Sequence, residues 1–330
     1  MTNSTGTGRF DGATAGAAIE IKALILPKFE IGEISGGFPG EAQRYYEAYC
    51  AGGEEYDIRG GIAGHKLYVK NGIALYVTGS GKVSSALSLY AVLFDRRFDF
   101  SKTYILSTGC AGSAYGSTVM GDVFVVTAAV DFDIGHHADI RDLPASAETT
   151  WFHDPGFDDC ACKLLNPKLT NRVYELVKNV KIATTDKTRA YMSAAFEGAD
   201  WAVREPKVQK GTTVSGDNYW KGEHGHANAV LMAETYSCPD PYMLTDMEDA
   251  ALALALDRLG MLDRFIVIRD SVNMDVFMNG TTAESLWAVG AVDSLASEES
   301  AEAADIFATA MENNFKVGRV VIDAIIAGTF

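Results

Sequence analysis

The chain of 330 residues is short of several things, and each shortage closes off a class of function. Five cysteines (Cys50, Cys110, Cys160, Cys162 and Cys238) are too few, too scattered and odd in number for a disulfide framework, which fits a reducing compartment. Cys160-Ala-Cys162 has no second pair with which to build a zinc site, so no metal is expected. Cations are short as well: 28 Lys and Arg stand against 44 Asp and Glu, a net charge of −16. Nucleic acid and anionic membrane surfaces both call for a basic face and are poor candidates as partners. A small anionic ligand needs only one local cluster of donors and stays open. No apolar run approaches the roughly 20 residues that span a bilayer, and the first eighteen residues hold no signal-peptide core. A soluble, cytoplasmic protein is expected. Only eight prolines accompany thirty-two glycines, which suggests many tight turns and close backbone approaches. At 48% hydrophobic and 22% charged residues, the chain can bury a sizeable core.

Residues 1–18 read as a flexible arm, and residues 19–330 as one domain without internal repeat or linker. Ile19 to Leu26 is an apolar run stopped by Pro27, hence a buried strand. Gly72 to Thr78 is a second strand, stopped by Gly79-Ser80-Gly81. A helix follows, with Val83, Ala86, Leu87, Tyr90, Leu93 and Phe94 on its expected inner face. Lys102 to Thr108 returns as a strand that is expected to break at Gly109-Cys-Ala-Gly112. Strand, glycine loop, helix, strand is the βαβ signature of a largely parallel sheet. Val123 to Val130 reads as a strand, 131–166 as an irregular excursion, and Arg172–Asn179 and Ala190–Phe196 as helices. Lys210–Val214 reads as a strand, Met247–Leu259 as a buried helix and Phe265–Arg269 as the last core strand. Phe307, Met311 and Phe315 mark the inner face of a terminal helix.

Five segments are candidates for chemistry. Thr78-Gly-Ser-Gly-Lys-Val83, at a strand-to-helix junction, is either a plain tight turn or a cradle of backbone N–H groups for an anion. Ser107-Thr-Gly-Cys-Ala-Gly112 ends another strand. Both loops are expected to line one crevice, unless the second only permits close helix–strand packing. Thr245-Asp-Met-Glu-Asp249 opens the buried helix; acids there stabilise a helix by ~0.3–1 kcal/mol, and one set near the core also needs donors, such as ligand hydroxyls. Arg269, Asp270, Asn273 and Asp275 cluster where the last strand leaves the interior, and Asn both donates to and accepts from a heterocycle edge. Ser215-Gly-Asp-Asn-Tyr-Trp220 offers Asp217 beside an aromatic that either stacks on a base or packs in the core. The six histidines follow neither triad nor metal spacing.

Taken in order, Gly79-Ser-Gly-Lys-Val-Ser-Ser-Ala-Leu87, Ser107-Thr-Gly-Cys-Ala-Gly112 and Gly121-Asp-Val-Phe-Val125 resemble the nucleoside phosphorylase/nucleosidase superfamily, with an echo of methylthioadenosine/S-adenosylhomocysteine nucleosidases. Within it, Arg97 to Tyr104, Asp139 to Pro144, Ser215 to Gly222, Thr245 to Asp249 and Arg269 to Asp275 resemble the purine nucleoside permease family. The resemblance spans about residues 20–290. It implies a three-layer α/β/α sandwich around a mixed, mostly parallel sheet, and a homo-oligomer is expected.

The resemblance also implies roles. Met247 and Glu248 match the pair that holds the ribose, Tyr219 the aromatic stacked on the purine, and Gly79, Ser80, Gly109, Cys110, Ala111 and Asp217 complete the binding site. Asn273 stands where adenine-type enzymes carry an Asp that protonates N7; it would hold the purine edge by hydrogen bonds, leaving Asp270, Asp275 or water to supply the proton. Ser107 replaces the Arg that phosphorylases place before this loop, and Cys110 a Ser or Thr that binds phosphate. Without that bidentate contact, water is the expected nucleophile. The loop after the first strand offers Glu30 and Glu33 to orient it, and Glu33 is taken, with Arg269 helping to place the water. The expected function is thus hydrolysis of a purine nucleoside to base and ribose without a cofactor. Phosphorolysis, with inorganic phosphate as co-substrate and Arg44, Arg59 or Arg141 restoring a phosphate site, and non-catalytic nucleoside binding or uptake are the alternatives.

Overall fold

A computed structural model describes residues 17–277 and 301–330. The arm expected at 1–18 lies almost wholly outside these residues. Ten strands form the main sheet. The first five are β1 (Ala23–Leu26), β2 (Glu54–Asp57), β3 (Lys66–Lys70), β4 (Ile73–Tyr76) and β5 (Tyr104–Ser113). The others are β6 (Val123–Asp131), β7 (Cys162–Leu164), β8 (Val208–Ser215), β9 (Tyr242–Asp246) and β10 (Phe265–Met274). Their order is β7-β6-β8-β9-β5-β1-β4-β3-β2, with β10 bridging β5 and β6. That bridge closes a ring from β5 through β10, β6, β8 and β9. The sheet is mixed. Its longest ladders, β10 on β5 and β8 on β6, are parallel, whereas β2, β3 and β7 at the edges pair antiparallel.

Helices cover both faces, because alternate strand residues point opposite ways. Leu24 and Leu26 of β1 join one apolar cluster, with Leu89 and Val92 of α1 (Lys82–Leu93). Ala23 and Ile25 join a second, with Val173 and Val177 of α2 (Pro167–Val177). Further along the chain come α3 (Asp186–Ala195), α4 (Glu223–Thr235), α5 (Asp249–Arg258) and α6 (Ala301–Ile326). Leu252 and Leu256 of α5 belong to the first cluster, Val317 and Val321 of α6 to the second. The result is the expected α/β/α arrangement, and Phe307 and Met311 are buried as the terminal helix required.

Three expectations are corrected. The run 19–26 is two strands: Ile19–Glu20 pairs with Phe98–Asp99 outside the main sheet, and only Ala23–Leu26 enters it. Helix α1 is rotated from that face: Ser85, Ser88, Leu89 and Val92 are buried, Tyr90 and Leu93 of the expected face pack partly against the core, and Val83, Leu87 and Phe94 are more than 60% exposed. Its serines satisfy themselves on the preceding loop, Ser88 donating to Thr78 O at 2.9 Å and Ser85 to Gly79 O at 2.6 Å, so polar residues serve as the inner face. Finally, Gly109 to Gly112 is not a loop. β5 runs through it to Ser113, paired with β10 with one register shift between Ser271 and Asn273.

Candidate active site

The carboxyl ends of β5, β8, β9 and β10 meet at one mouth, drawn together by pairings such as Leu244 with Ser113 and Asn273 with Gly112. They enclose a cavity of about 620 Å3. Its walls are Cys110–Gly112 on β5, Asn218–Lys221 after β8, Thr245–Glu248 at the end of β9, Arg269 in the middle of β10 and Val272–Asp275 at its end. Ser80 reaches it from the glycine loop before α1; Lys28, Phe29, Ile31 and Glu41 come from the segment after β1, and Phe307 from α6.

Arg269, 1% exposed, ties one wall together. Its Nε donates to Asp249 Oδ2 at 2.8 Å, Nη1 to Cys110 O at 2.9 Å and Nη2 to Glu248 Oε2 at 2.9 Å. The guanidinium therefore fixes the acids rather than standing free for a water. Gly81 N–H donates to the other Glu248 oxygen at 3.1 Å, so the glycine loop helps to hold this carboxylate. Burial raises the Glu248 carboxyl above its ordinary range, with Arg269 and Lys28 pulling against it. Asp246 Oδ1 accepts the N–H groups of Glu248 and Asp249 at 2.7 and 2.8 Å and so organises the start of α5. Burial, with the Asp249 charge added, pushes Asp246 up to about 6. Burial also opposes the Asp249 anion, yet Arg269, Lys28 and the Ser107 hydroxyl hold its carboxyl below the usual range.

Opposite stands Glu41. Its carboxylate accepts the N–H of Lys28 at 2.6 Å and of Cys110 at 2.8 Å. Gly109 makes room for it: a Cβ there would land on that carboxylate, and φ of +145° also disfavours a side chain. Lys28 Nζ lies beneath, donating to Leu26 O at 2.5 Å and Ser107 Oγ at 2.7 Å. Burial, then the Arg269 charge, lowers this amine.

At the other end, Asn273 Nδ2 donates to the Tyr219 hydroxyl. Asp275 is deeply held: Oδ1 accepts Tyr115 N–H at 3.0 Å, and Oδ2 takes the Tyr242 hydroxyl at 2.8 Å and His226 Nδ1 at 2.7 Å.

The comparisons with known proteins agree with this architecture. The family model described as purine nucleoside permease (NUP) matches residues 20–329. The chain belongs to the purine nucleoside permease family. A probable purine nucleoside permease of Schizosaccharomyces pombe is 27% identical over 249 residues, covering 68% of this chain and 71% of that protein. The purine nucleoside permease of Candida albicans is 26% identical over 222 residues; these cover 60% of this chain but only 53% of that relative. Among solved structures, the 5′-methylthioadenosine/S-adenosylhomocysteine nucleosidase of Helicobacter pylori superposes with a TM-score of 0.56 at 15% identity, over 92% of this chain and 99% of that one. A futalosine hydrolase mutant of the same organism gives 0.52 at 17%, over 89% and 99%. At such identity the likeness is one of fold. Despite the family's name, no helix among the described residues is long and apolar enough to cross a membrane.

In this permease-family chain, Met247, Glu248, Tyr219, Arg269, Asn273, Asp275, Ser80, Cys110 and Ala111 all line the cavity. Four other expected residues do not line it, and neither does Glu33. Glu33 is exposed. The Glu30 carboxylate is occupied by backbone N–H groups of Ile31, Gly40, Ala42 and Gln43, which makes it a loop staple. Asp217 accepts Lys82 N–H at 2.7 Å on the exposed side of the glycine loop. Gly79 and Gly109 stand behind the wall, the second beneath Glu41. Glu41 and Lys28 were missed. Glu41 lies two residues before the helical segment that begins at Gln43, beyond the loop in which the acid was sought, and Gly40 before it is a weak cue to tight packing. Nothing in the periodicity around Lys28 marks a buried amine.

Proposed function

We propose that this chain is a purine nucleoside N-glycosidase that cleaves the bond between ribose C1′ and purine N9 with water. The observation that carries the reading is Glu41. A carboxylate already occupies the backbone N–H of Cys110 in the T-G-C-A-G segment, where a phosphate would otherwise find donors. A fixed negative charge there repels phosphate and offers an acceptor for a proton of water. The family name specifies a purine nucleoside, and the solved nucleosidases share the fold, which supports the same substrate class here.

Glu248, clamped by Arg269 and Gly81, is oriented to accept the ribose hydroxyls, with Met247 beside it. The purine lies against Tyr219 with its edge on Asn273. As the C1′–N9 bond breaks, its electron pair goes to the purine and the sugar passes through an oxocarbenium-like state. The water oxygen then bonds to C1′, its proton passes to Glu41 and on to solvent, and the purine takes up a proton. Hydrogen bonds from Asn273 to the departing purine lower the barrier, because fixed dipoles need no reorganisation as charge develops. Because Asn is no acid, that proton comes from solvent or from a neighbouring group.

The test is turnover of inosine, guanosine and adenosine with and without inorganic phosphate. Free ribose formed without phosphate is the expected product; ribose 1-phosphate with strict phosphate dependence overturns the hydrolase. Glu248→Gln distinguishes an enzyme, which loses rate by orders of magnitude, from a nucleoside-binding protein, which loses affinity alone.

A further inference from the structure

One cation in the cavity has no task in the chemistry above. Lys221 lines the cavity two residues beyond Tyr219, whose hydroxyl accepts from Asn273. Among the described residues it has no hydrogen-bond or salt-bridge partner. Its ammonium stands 5.8 Å from the centre of the Phe277 ring. Asp275 acts on it through space, but the Asp275 oxygens are already taken by Tyr115, His226 and Tyr242. Burial lowers the Lys221 amine, the mark of a cation held partly away from water.

An ammonium offers three donors and no acceptor, so a half-buried one is best satisfied by a ligand atom that only accepts. Purines divide on this point. A 6-oxopurine sets the acceptors O6 and N7 side by side, which is the edge that lysine and arginine recognise in guanine; a 6-aminopurine sets an N–H donor beside N7. Asn273 carries both a donor and an acceptor and fits either edge. The choice therefore rests with the cation. Resting on the nucleoside-cleaving reading above, we propose that Lys221 selects 6-oxopurine nucleosides, inosine and guanosine, over adenosine by donating to O6.

A matched polar contact to a base edge discriminates by roughly ten- to a hundredfold. The experiment is kcat/KM for inosine and adenosine on the wild-type chain, Lys221→Met and Lys221→Arg. The wild type should favour inosine by that factor. Lys221→Met should bring the two nucleosides within about threefold of each other, chiefly through a higher KM for inosine, and Lys221→Arg should restore the preference. A wild type that favours adenosine or shows no preference overturns the proposal, as does a Met variant that slows both nucleosides alike. If neither nucleoside is cleaved, calorimetric binding of both to the same three proteins decides it. Inosine-selective binding lost in the Met variant upholds the selectivity while the hydrolase falls; equal binding, or none, sinks the selectivity. Cleavage of both nucleosides without preference sinks the selectivity and leaves the hydrolase standing.

Discussion

Glutamate and glutamine have nearly the same shape, so Glu41→Gln separates charge from packing at the residue on which the hydrolytic reading depends. The amide oxygen can still accept from Lys28 or Cys110, but no proton can be taken from water. Removing a general base costs about 100- to 10,000-fold in rate. We expect kcat to fall within that range while inosine still binds, measured by ribose release and calorimetry; an unchanged kcat moves the base elsewhere. At this scale the sequence was legible where function and chain order coincide. Met247 and Glu248 directly follow β9, and Arg269 and Asn273 lie on β10, strands whose positions are set by short apolar runs; all four stand in one cavity. The acid after β1 was not legible because a loop intervenes. The chain travels thirteen residues from Lys28 before it folds back to place Glu41 against the Lys28 N–H, and counting along a loop gives no depth.

Helix α1 shows how an element can be found while its orientation is misjudged. Period alone placed Val83, Leu87 and Phe94 inward, yet these are exposed, and Leu89 and Val92 fill the core with Ser85 and Ser88. The serines can face inward because Thr78 O and Gly79 O, in the loop that precedes the helix, accept their hydroxyls. Two leucines in one helix therefore test the packing. Leu89→Ala should cost about 2–5 kcal/mol as a core cavity, and Leu87→Ala no more than about 0.5 kcal/mol as a surface change, both read from denaturant unfolding. Equal costs refute an inward Leu89 and an outward Leu87. Strand β5 makes the opposite lesson: glycines that looked like a break are strand residues without side chains because Glu41 lies against Gly109, and Asn273 and Thr245 against Gly112. Gly109→Ala should displace Glu41 and reduce turnover at least as far as Glu41→Gln does. An alanine variant with wild-type turnover removes Glu41 from the reaction.

Over the whole molecule, the excess of acids, which argues against polyanionic partners, also shapes the response to pH. The net charge of −16 sets the folded chain against itself at neutral pH. Several of its acids are also buried. Asp246 is pushed up to about 6, Glu248 is raised, and Asp270 is raised well above its ordinary value by burial with Glu41 beside it. A carboxyl whose folded pKa exceeds its unfolded one contributes stability that is full below the unfolded pKa and lost as pH rises through the folded pKa. For Asp246 that window runs from about 4, the value of an unfolded aspartate, to about 6. Acids held low act in the opposite sense. Asp249, where Arg269 overcomes burial, and Asp133, where Lys82 does, stabilise above their unfolded pKa and lose that contribution only as pH falls through the folded one. Between pH 7 and pH 5.5 the first group gains and the second has not begun to lose. We therefore expect the thermal midpoint to rise by about 1–2 °C over that interval, as about 1 kcal/mol of proton linkage gives in a chain of this size, and to drop below pH 4. Asp246→Asn keeps an oxygen for the N–H groups of Glu248 and Asp249 but cannot titrate, so its midpoint should rise less. Dilute calorimetric scans at fixed ionic strength measure both. A wild-type midpoint that falls from pH 7 to 5.5, or an Asp246→Asn midpoint that rises as steeply as that of the wild type, refutes the assignment of this linkage to the acids that open α5.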